Sequence, residues 1–572
     1  MHRRRGHELE NTSNDAGLCD GSTRRAAIWT VLAAVGAAAF AVEIPFFFLG
    51  TPSGHDVEFH LNSWLEVLAQ WREGVFLPRW ASLAHFGYGE PRFIFYPPAS
   101  WILGAFLSAI LPWGIVASVY IWLALTLAGM SMFALARRWF SRRDAIFVSV
   151  FYAVNPYHLV IVYWRSAFAE LLASCLVPLL LLLVLRIADG ERKATVPLAV
   201  VLAAAWLTNA PAAVMIHYSL ALLLVILAWQ KRSVRILAVG VAAVAIGAGL
   251  AGFYLLPAIY EQRWIDIGQA ISAGSRPADN FLFIHTSDAD HDKFNRIISW
   301  VALFEITILF AAAAAVKIQG KMKRERWAVL FFWALTCTVL MFPLTAMAWK
   351  ILPKLEFMQF PWRWMLCLSM LFAIFVVAGT AATGTLSVST ASAERRSWWM
   401  RAAICSAAVV AIAAAWHFVQ PPWWDNAADL REMRDNFADR IGYEGTDEYT
   451  PLGADPSAID KSPASVRALG SEPVAISAVQ WGAEKKSFVA EVSAPTELEL
   501  RLFRYPAWRV EVNGHKVRAG PDAAGQMTVP VEAGVNHVQV TFGRTWDRTA
   551  GGWISVITAL CAGACFAFAH RS

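Results

Sequence analysis

The chain is broken up by apolar runs about as long as a bilayer is thick. A helix rises about 1.5 Å per residue, so roughly 20 apolar residues cross the hydrocarbon core. Twelve such runs stand near 27–49, 113–136, 144–162, 168–188, 194–209, 211–230, 235–257, 297–316, 327–349, 364–386, 401–418 and 551–570. Lipid offers no partner to a free backbone amide, so each run is expected to be helical. Composition supports this: 57% of the 572 residues are hydrophobic and 16% charged. A soluble domain carries roughly 25% charged residues, so a soluble enzyme and a disordered chain are both excluded. The first run is too long for the apolar core of a cleaved signal peptide and is expected to be retained.

Charge orients the runs. Basic residues cluster at Arg137–Arg143, Arg186–Lys193, Lys231–Arg235, Lys317–Arg326 and Arg395–Arg401. With the N-terminal tail (Arg3, Arg4, Arg5, Arg24, Arg25) inside, every cluster falls in the cytoplasm, and an even number of spans leaves both termini there. The net charge of +6 therefore reads as a positive-inside signal and not as a nucleic-acid footprint. Tryptophans at the ends of runs (Trp113, Trp139, Trp229, Trp364) fit an interfacial belt. Residues 97–111 are apolar but short, and are expected to be partly embedded in the outer face. The expected organisation is a cytoplasmic tail (1–26), a polytopic domain (27–418) with an outer loop at 50–112, an outer β-rich domain (419–549) and a last span (550–572). In the β-rich domain Leu498, Leu500 and Leu502 alternate, as do Val510 and Val512, and Val538, Val540 and Phe542. Asn513-Gly514 predicts a tight hairpin turn. The expected fold class is thus an all-α membrane domain with a C-terminal extracytoplasmic β-sandwich. No segment expected outside the membrane contains a cysteine, so no disulfide framework is read.

Charged side chains at membrane level are expensive, and their clusters mark candidate sites. They collect on the outer side. The first cluster is His55, Asp56, Glu58 and His60. Asp56 and His60, four apart, share a helix face. A carboxylate beside imidazoles suits a general base, or a divalent cation held by Asp56, Glu58 and His60. It also suits a plain helix start with an acid in its first turn. Next come Arg79, Arg92 and Tyr96 in a loop rich in glycine, proline and aromatics; the arginines could grip phosphate or snorkel to lipid headgroups. His158, Arg165 and Glu170 form the third cluster, in which Arg165 and Glu170 could simply lock to each other. Glu356, Gln359 and Arg363 precede a helix start, where Arg363 suits a phosphate or a membrane anchor. Residues 285–292 hold two His and three Asp, a cation loop or a solvated acidic loop. Walker A, GxSxG, HExxH and Rossmann patterns are absent, so no nucleotide is expected.

The stretches GHDVEFHL, GVFLPRW, GYGEPRFIFYPP, LEFMQFPWR and GYEGTDEYTP (442–451), with Arg165–Glu170, resemble a bacterial membrane family labelled "6-pyruvoyl-tetrahydropterin synthase-related". The label suggests a small soluble zinc enzyme, which this composition is not. An Asp just after the first helix, a long outer loop and many spans resemble the GT-C glycosyltransferases, and the β-rich tail resembles the outer domain of YfhO-like proteins. The resemblance implies an inverting glycosyltransferase of the bacterial inner membrane that uses a polyprenyl-phosphate sugar. Asp56 would be the base. Arg79, Arg92 or Arg363 would meet the leaving phosphate, and His55, Glu58 and His60 would orient Asp56 or hold a metal. A glycan or lipid would be the acceptor. A flippase for lipid-linked sugars and a non-catalytic envelope assembly protein are the competing expectations. The scarcity of midplane charge, with Glu43 and Glu305 the exceptions, favours the enzyme.

Overall fold

The computed structural model describes residues 21–381, 391–462, 464–469 and 474–571. Residues 1–20 of the expected tail, with Arg3, Arg4, Arg5 and Cys19, lie outside the described residues, as do the side chains of Arg24 and Arg25, while its last residues already belong to the helix Gly21–Val42. Among the described residues, nine helices are long and apolar enough to span a membrane, and eleven if two bent pairs each count as one span. The bent pairs, Arg235–Leu250 with Gly252–Trp264 and Arg324–Leu340 with Pro343–Ile351, turn by 77° and 89° and fall on the runs at 235–257 and 327–349. The remaining run, 194–209, becomes Thr195–Thr208, a helix of 14 residues and too short to qualify. Its end is set by Asn209, whose side chain accepts from the Ala212 amide and caps the following helix, Ala210–Lys231. Residues 97–111 form the helix Pro98–Ile110, 13 residues long.

The basic loops gather at one end. Arg138 pairs with Asp189 at 2.6 Å, Lys231 lies 3.9 Å from the same carboxylate, and Arg401 pairs with Asp144 at 2.6 Å. The loops expected to lie outside gather at the other end. Ala84 bridges to Tyr443, Ile265 bridges to Pro451, and Gln359 donates to the Ala270 carbonyl.

The C-terminal region is two sheets over one core. One sheet runs Val466–Ala468, Thr496–Phe503, Gln526–Val531, Gly520–Pro521. The other runs Val474–Trp481, Lys485–Val492, Gly534–Phe542, Trp508–Val512, His515–Val517. Leu498, Leu500 and Leu502 from the first meet Val510, Val512, Val538 and Val540 from the second. The alternation read from sequence is thus the inward face of each sheet. Asn513 and Gly514, with φ of 51° and 81°, make the two-residue turn that pairs Val512 with His515. The same core takes in Trp80, Tyr88 and Ile94 of the 50–112 segment, so loop and sandwich are packed as one body.

Candidate functional site

The site begins where the first helix stops. Gly50 takes φ +102°, and a Cβ there would lie 2.2 Å from the Asp425 carbonyl oxygen, so only glycine fits. Thr51–Pro52 then pairs antiparallel with Trp424–Asp425. Gly54 donates to Ser166 Oγ (2.9 Å), and the Asp56 amide donates to the Arg165 carbonyl (2.9 Å). Asp56 occupies the N-cap position of the helix Val57–Arg72, yet its side chain caps nothing. Its carboxylate faces Arg165 Nη2 at 3.3 Å instead.

Arg165 arrives through an irregular helix. Asn155-Pro156 restarts the helix Arg142–Ala153 as Pro156–Val160, which widens into a π turn at Ile161–Arg165 and stops at Ser166 in the left-handed region (φ 50°). Such π segments concentrate at functional sites. Arg165 Nη1 pairs with Glu170 Oε2 at 2.5 Å, and Arg363 Nε lies 3.3 Å from the same oxygen. Tyr157 donates to Glu170 Oε1 at 2.5 Å. Arg363 donates to the Met358 carbonyl (2.7 Å) and to Gln359 Oε1 (3.3 Å). The Arg165 guanidinium lies over the Trp362 ring, 5.0 Å from its centroid. From Tyr157 the polar contacts continue inward: its amide donates to Glu305, which also accepts from Ser369.

Exposure separates the members. Arg165 and Glu170 are 2% and 1% exposed, whereas the Asp56 side chain is 37% exposed. The buried charges hold each other, and Asp56 is their outlet. Five residues singled out from sequence therefore converge: Asp56, Arg165, Glu170, Arg363 and Gln359.

The others divide. His60 is buried one turn after Asp56, its ring 5.1 Å from Phe168 and 6.0 Å from Tyr96. Burial pushes its pKa down to about 4, Asp56 opposing and Arg165 and Arg92 adding, so it is neutral at pH 7. Burial first, and then the Asp56 carboxylate, push the Tyr96 phenol well up and keep it protonated. His55 and Glu58 are exposed, with His55 against Phe294 and Trp423. No three His, Cys, Asp or Glu side chains converge as a metal site among the described residues, the alternative of a cation held by Asp56, Glu58 and His60 included. His158 is buried, its Nδ1 3.0 Å from the Ala153 carbonyl. Glu356 opens the short turn Glu356–Met358 that leads into Gln359. Residues 285–292 start a helix: Asp288 accepts from the Asp290 and His291 amides, and Asp292 pairs with His285 and Arg296.

Two arginines expected to bind phosphate lie elsewhere. Arg92 is 1% exposed and spends all three nitrogens, on Glu90 (2.6 Å), Ser63 (3.1 Å) and Thr446 (3.3 Å). Glu90 also meets His85 at 2.9 Å. Arg79 donates to the Phe253 carbonyl (3.5 Å) beneath the sandwich, and burial, reinforced by Arg548, pushes its pKa down to about 10. The Arg79 guanidinium ties the loop to the helix Gly252–Glu261, and the Arg92 guanidinium ties it to the stretch before the sandwich.

Two residues were not among the site residues expected from sequence. Tyr157, in the same stretch as His158, holds Glu170. Glu448 lies close enough to Asp56, Glu90 and Arg363 to feel their charges, and burial pushes its pKa up. Its signal was its place in GYEGTDEYTP (442–451).

The family model described as 6-pyruvoyl-tetrahydropterin synthase related domain, a membrane protein, matches residues 93–419, more than half of the chain. The chain belongs to this family. No curated protein matches it. The stretch matched by the 6-pyruvoyl-tetrahydropterin synthase related model holds Arg165, Glu170 and Arg363, while Asp56 and the sandwich lie outside it. In this member of the family, the matched helices supply the buried charges and the preceding loop supplies the exposed carboxylate. Chemically, the group offers a solvent-facing base backed by two guanidinium groups, a setting suited to proton removal beside a developing anion.

Proposed function

We propose that the protein is an inverting glycosyltransferase of the bacterial inner membrane, with a GT-C-like helical domain and a YfhO-like outer domain. It would move a sugar from a polyprenyl-phosphate donor to a glycan or lipid acceptor at the outer face, in envelope biosynthesis. The observation that carries the reading is the half-exposed Asp56 carboxylate fixed 3.3 Å from the buried Arg165, which Glu170 ties to Arg363. In this reading Asp56 takes the proton of the acceptor hydroxyl as its oxygen attacks the anomeric carbon. The carbon–oxygen bond to phosphate breaks on the opposite face, and the configuration inverts. Polyprenyl phosphate leaves with the bond's electrons, and Arg363, with Arg165 beside Asp56, would receive that charge. Both termini lie in the cytoplasm and the sandwich outside.

The test is Asp56→Asn against wild type with a panel of polyprenyl-phosphate sugars, reading released polyprenyl phosphate. Base catalysis contributes typically about 10²–10⁴-fold, so a loss of that size in a folded variant is expected. Equal turnover removes Asp56 from the reaction. The two sharply bent helix pairs favour a second reading, a lipid-linked-sugar flippase, because transporters build their sites at broken helices. Movement of donor across a liposome without sugar transfer would select it.

A further inference from the structure

A cavity of about 610 Å³ opens between the outer ends of the helices at 28–49 and 113–136, within the usual size for a small-ligand site. Phe40, Phe47, Val119 and Trp122 make its walls, and the strand pair that follows Gly50 closes its base. Its charged side chains have one sign. Glu43 and Asp425 both line it, and among the described residues no arginine, lysine or histidine does. Glu43 is 5% exposed, and its Oε1 lacks a hydrogen-bond partner among the described residues. Asp425, in the floor strand, is half-buried, and burial pushes its pKa up.

These features restrict the occupant. A phosphate or carboxylate would meet two acids with no cation to offset them. A wholly apolar molecule would desolvate both acids and leave Glu43 Oε1 unpaired, which is unfavourable. An ammonium group gives Glu43 Oε1 the donor it lacks by a charge-assisted bond, and Asp425 adds negative charge to the same cavity. Phe47 and Phe48, strongly exposed at the rim, give an attached chain an apolar path into the bilayer. We propose that this cavity binds an amphiphile with a protonated amino group and an apolar tail, the amine at Glu43 and in the field of Asp425. The inference is independent of the Asp56 chemistry, since it concerns binding alone.

The test uses the full chain in a neutral detergent and a primary dodecylamine carrying a photoactivatable diazirine. Crosslinks are expected at 40–49 and 114–122. Glu43→Gln with Asp425→Asn is expected to weaken the amine about tenfold or more, equivalent to about 1.4 kcal/mol, and to leave dodecanol unchanged. Ser118→Trp, which fills the cavity without touching its charge, is expected to abolish both and serves if the double variant does not fold. Crosslinks mapping elsewhere would overturn the proposal, as would dodecanol or dodecyl phosphate binding as well as the amine. Competition by phosphatidylethanolamine would assign the site to a lipid headgroup, and its failure to compete would assign it to a single-chain amine.

Discussion

A Cβ at Gly54 would stand 2.5 Å from the Trp164 carbonyl oxygen, inside the backbone contact that sets Asp56 opposite Arg165. Gly54→Ala is therefore expected to cost about 1–3 kcal/mol by overpacking, and to lower turnover as well, read by thermal unfolding beside the transfer assay. Glu170→Gln removes the charge shared by Arg165 and Arg363 and leaves two buried guanidinia with only Asp56 between them. A stability loss of roughly 3–5 kcal/mol is expected in a denaturation series. Glu90 gives a pH prediction. Burial alone would raise its pKa, but Arg92 and His85 outweigh burial and hold it near 2, against an ordinary 4.5. A depressed folded value means the stabilisation is complete above about 4.5 and fades as pH falls toward 2. Glu90→Gln should therefore unfold at lower temperature at pH 7, with the difference from wild type shrinking on acidification. At this scale the sequence exposed Asp56, Arg165, Glu170, Arg363 and Gln359, because charge beside apolar runs is conspicuous. It could not say which arginines were already spent. Arg92 and Arg363 look alike in a string, and only packing shows that Glu90 consumes the first.

Among the elements, long helices and alternating strands were legible because each has one dominant period. The π turn at Ile161–Arg165 was not, since its residues read as ordinary helix and the left-handed Ser166 that ends it meets Gly54, 112 residues away in sequence. The end of Thr195–Thr208 was legible, since the run 194–209 stops at the Asn209 cap; what the run length hid is that its 14 residues fall short of a span. The last helix, Trp546–Arg571, is tied to the sandwich by a buried fork: Arg548 meets both Glu261 oxygens at 2.7 Å, and Tyr505 donates to one of them. Glu261→Gln would leave Arg548 uncompensated. The expected result is faster proteolytic clipping of the 425–545 region with the helical bundle intact, followed on a gel.

For the whole molecule, the gathering of basic loops at one end and of the 50–112 segment and sandwich at the other yields a labelling prediction. Lys516→Cys, exposed in the sandwich, should react with an impermeant maleimide on intact spheroplasts, and Gly190→Cys, in a basic loop, only after lysis. The reverse pattern would invert the topology. The sandwich has little freedom to swing. Its chain arrives through Trp424–Asp425, is stitched at mid-length where the Phe503 amide donates to the Tyr88 carbonyl, and departs through the Arg548 fork. The strand that receives it, Thr51–Pro52, is also the backbone that continues to Asp56. A pull on the sandwich is therefore a pull on the carboxylate: any load the domain takes up is mechanically geared to the position of Asp56.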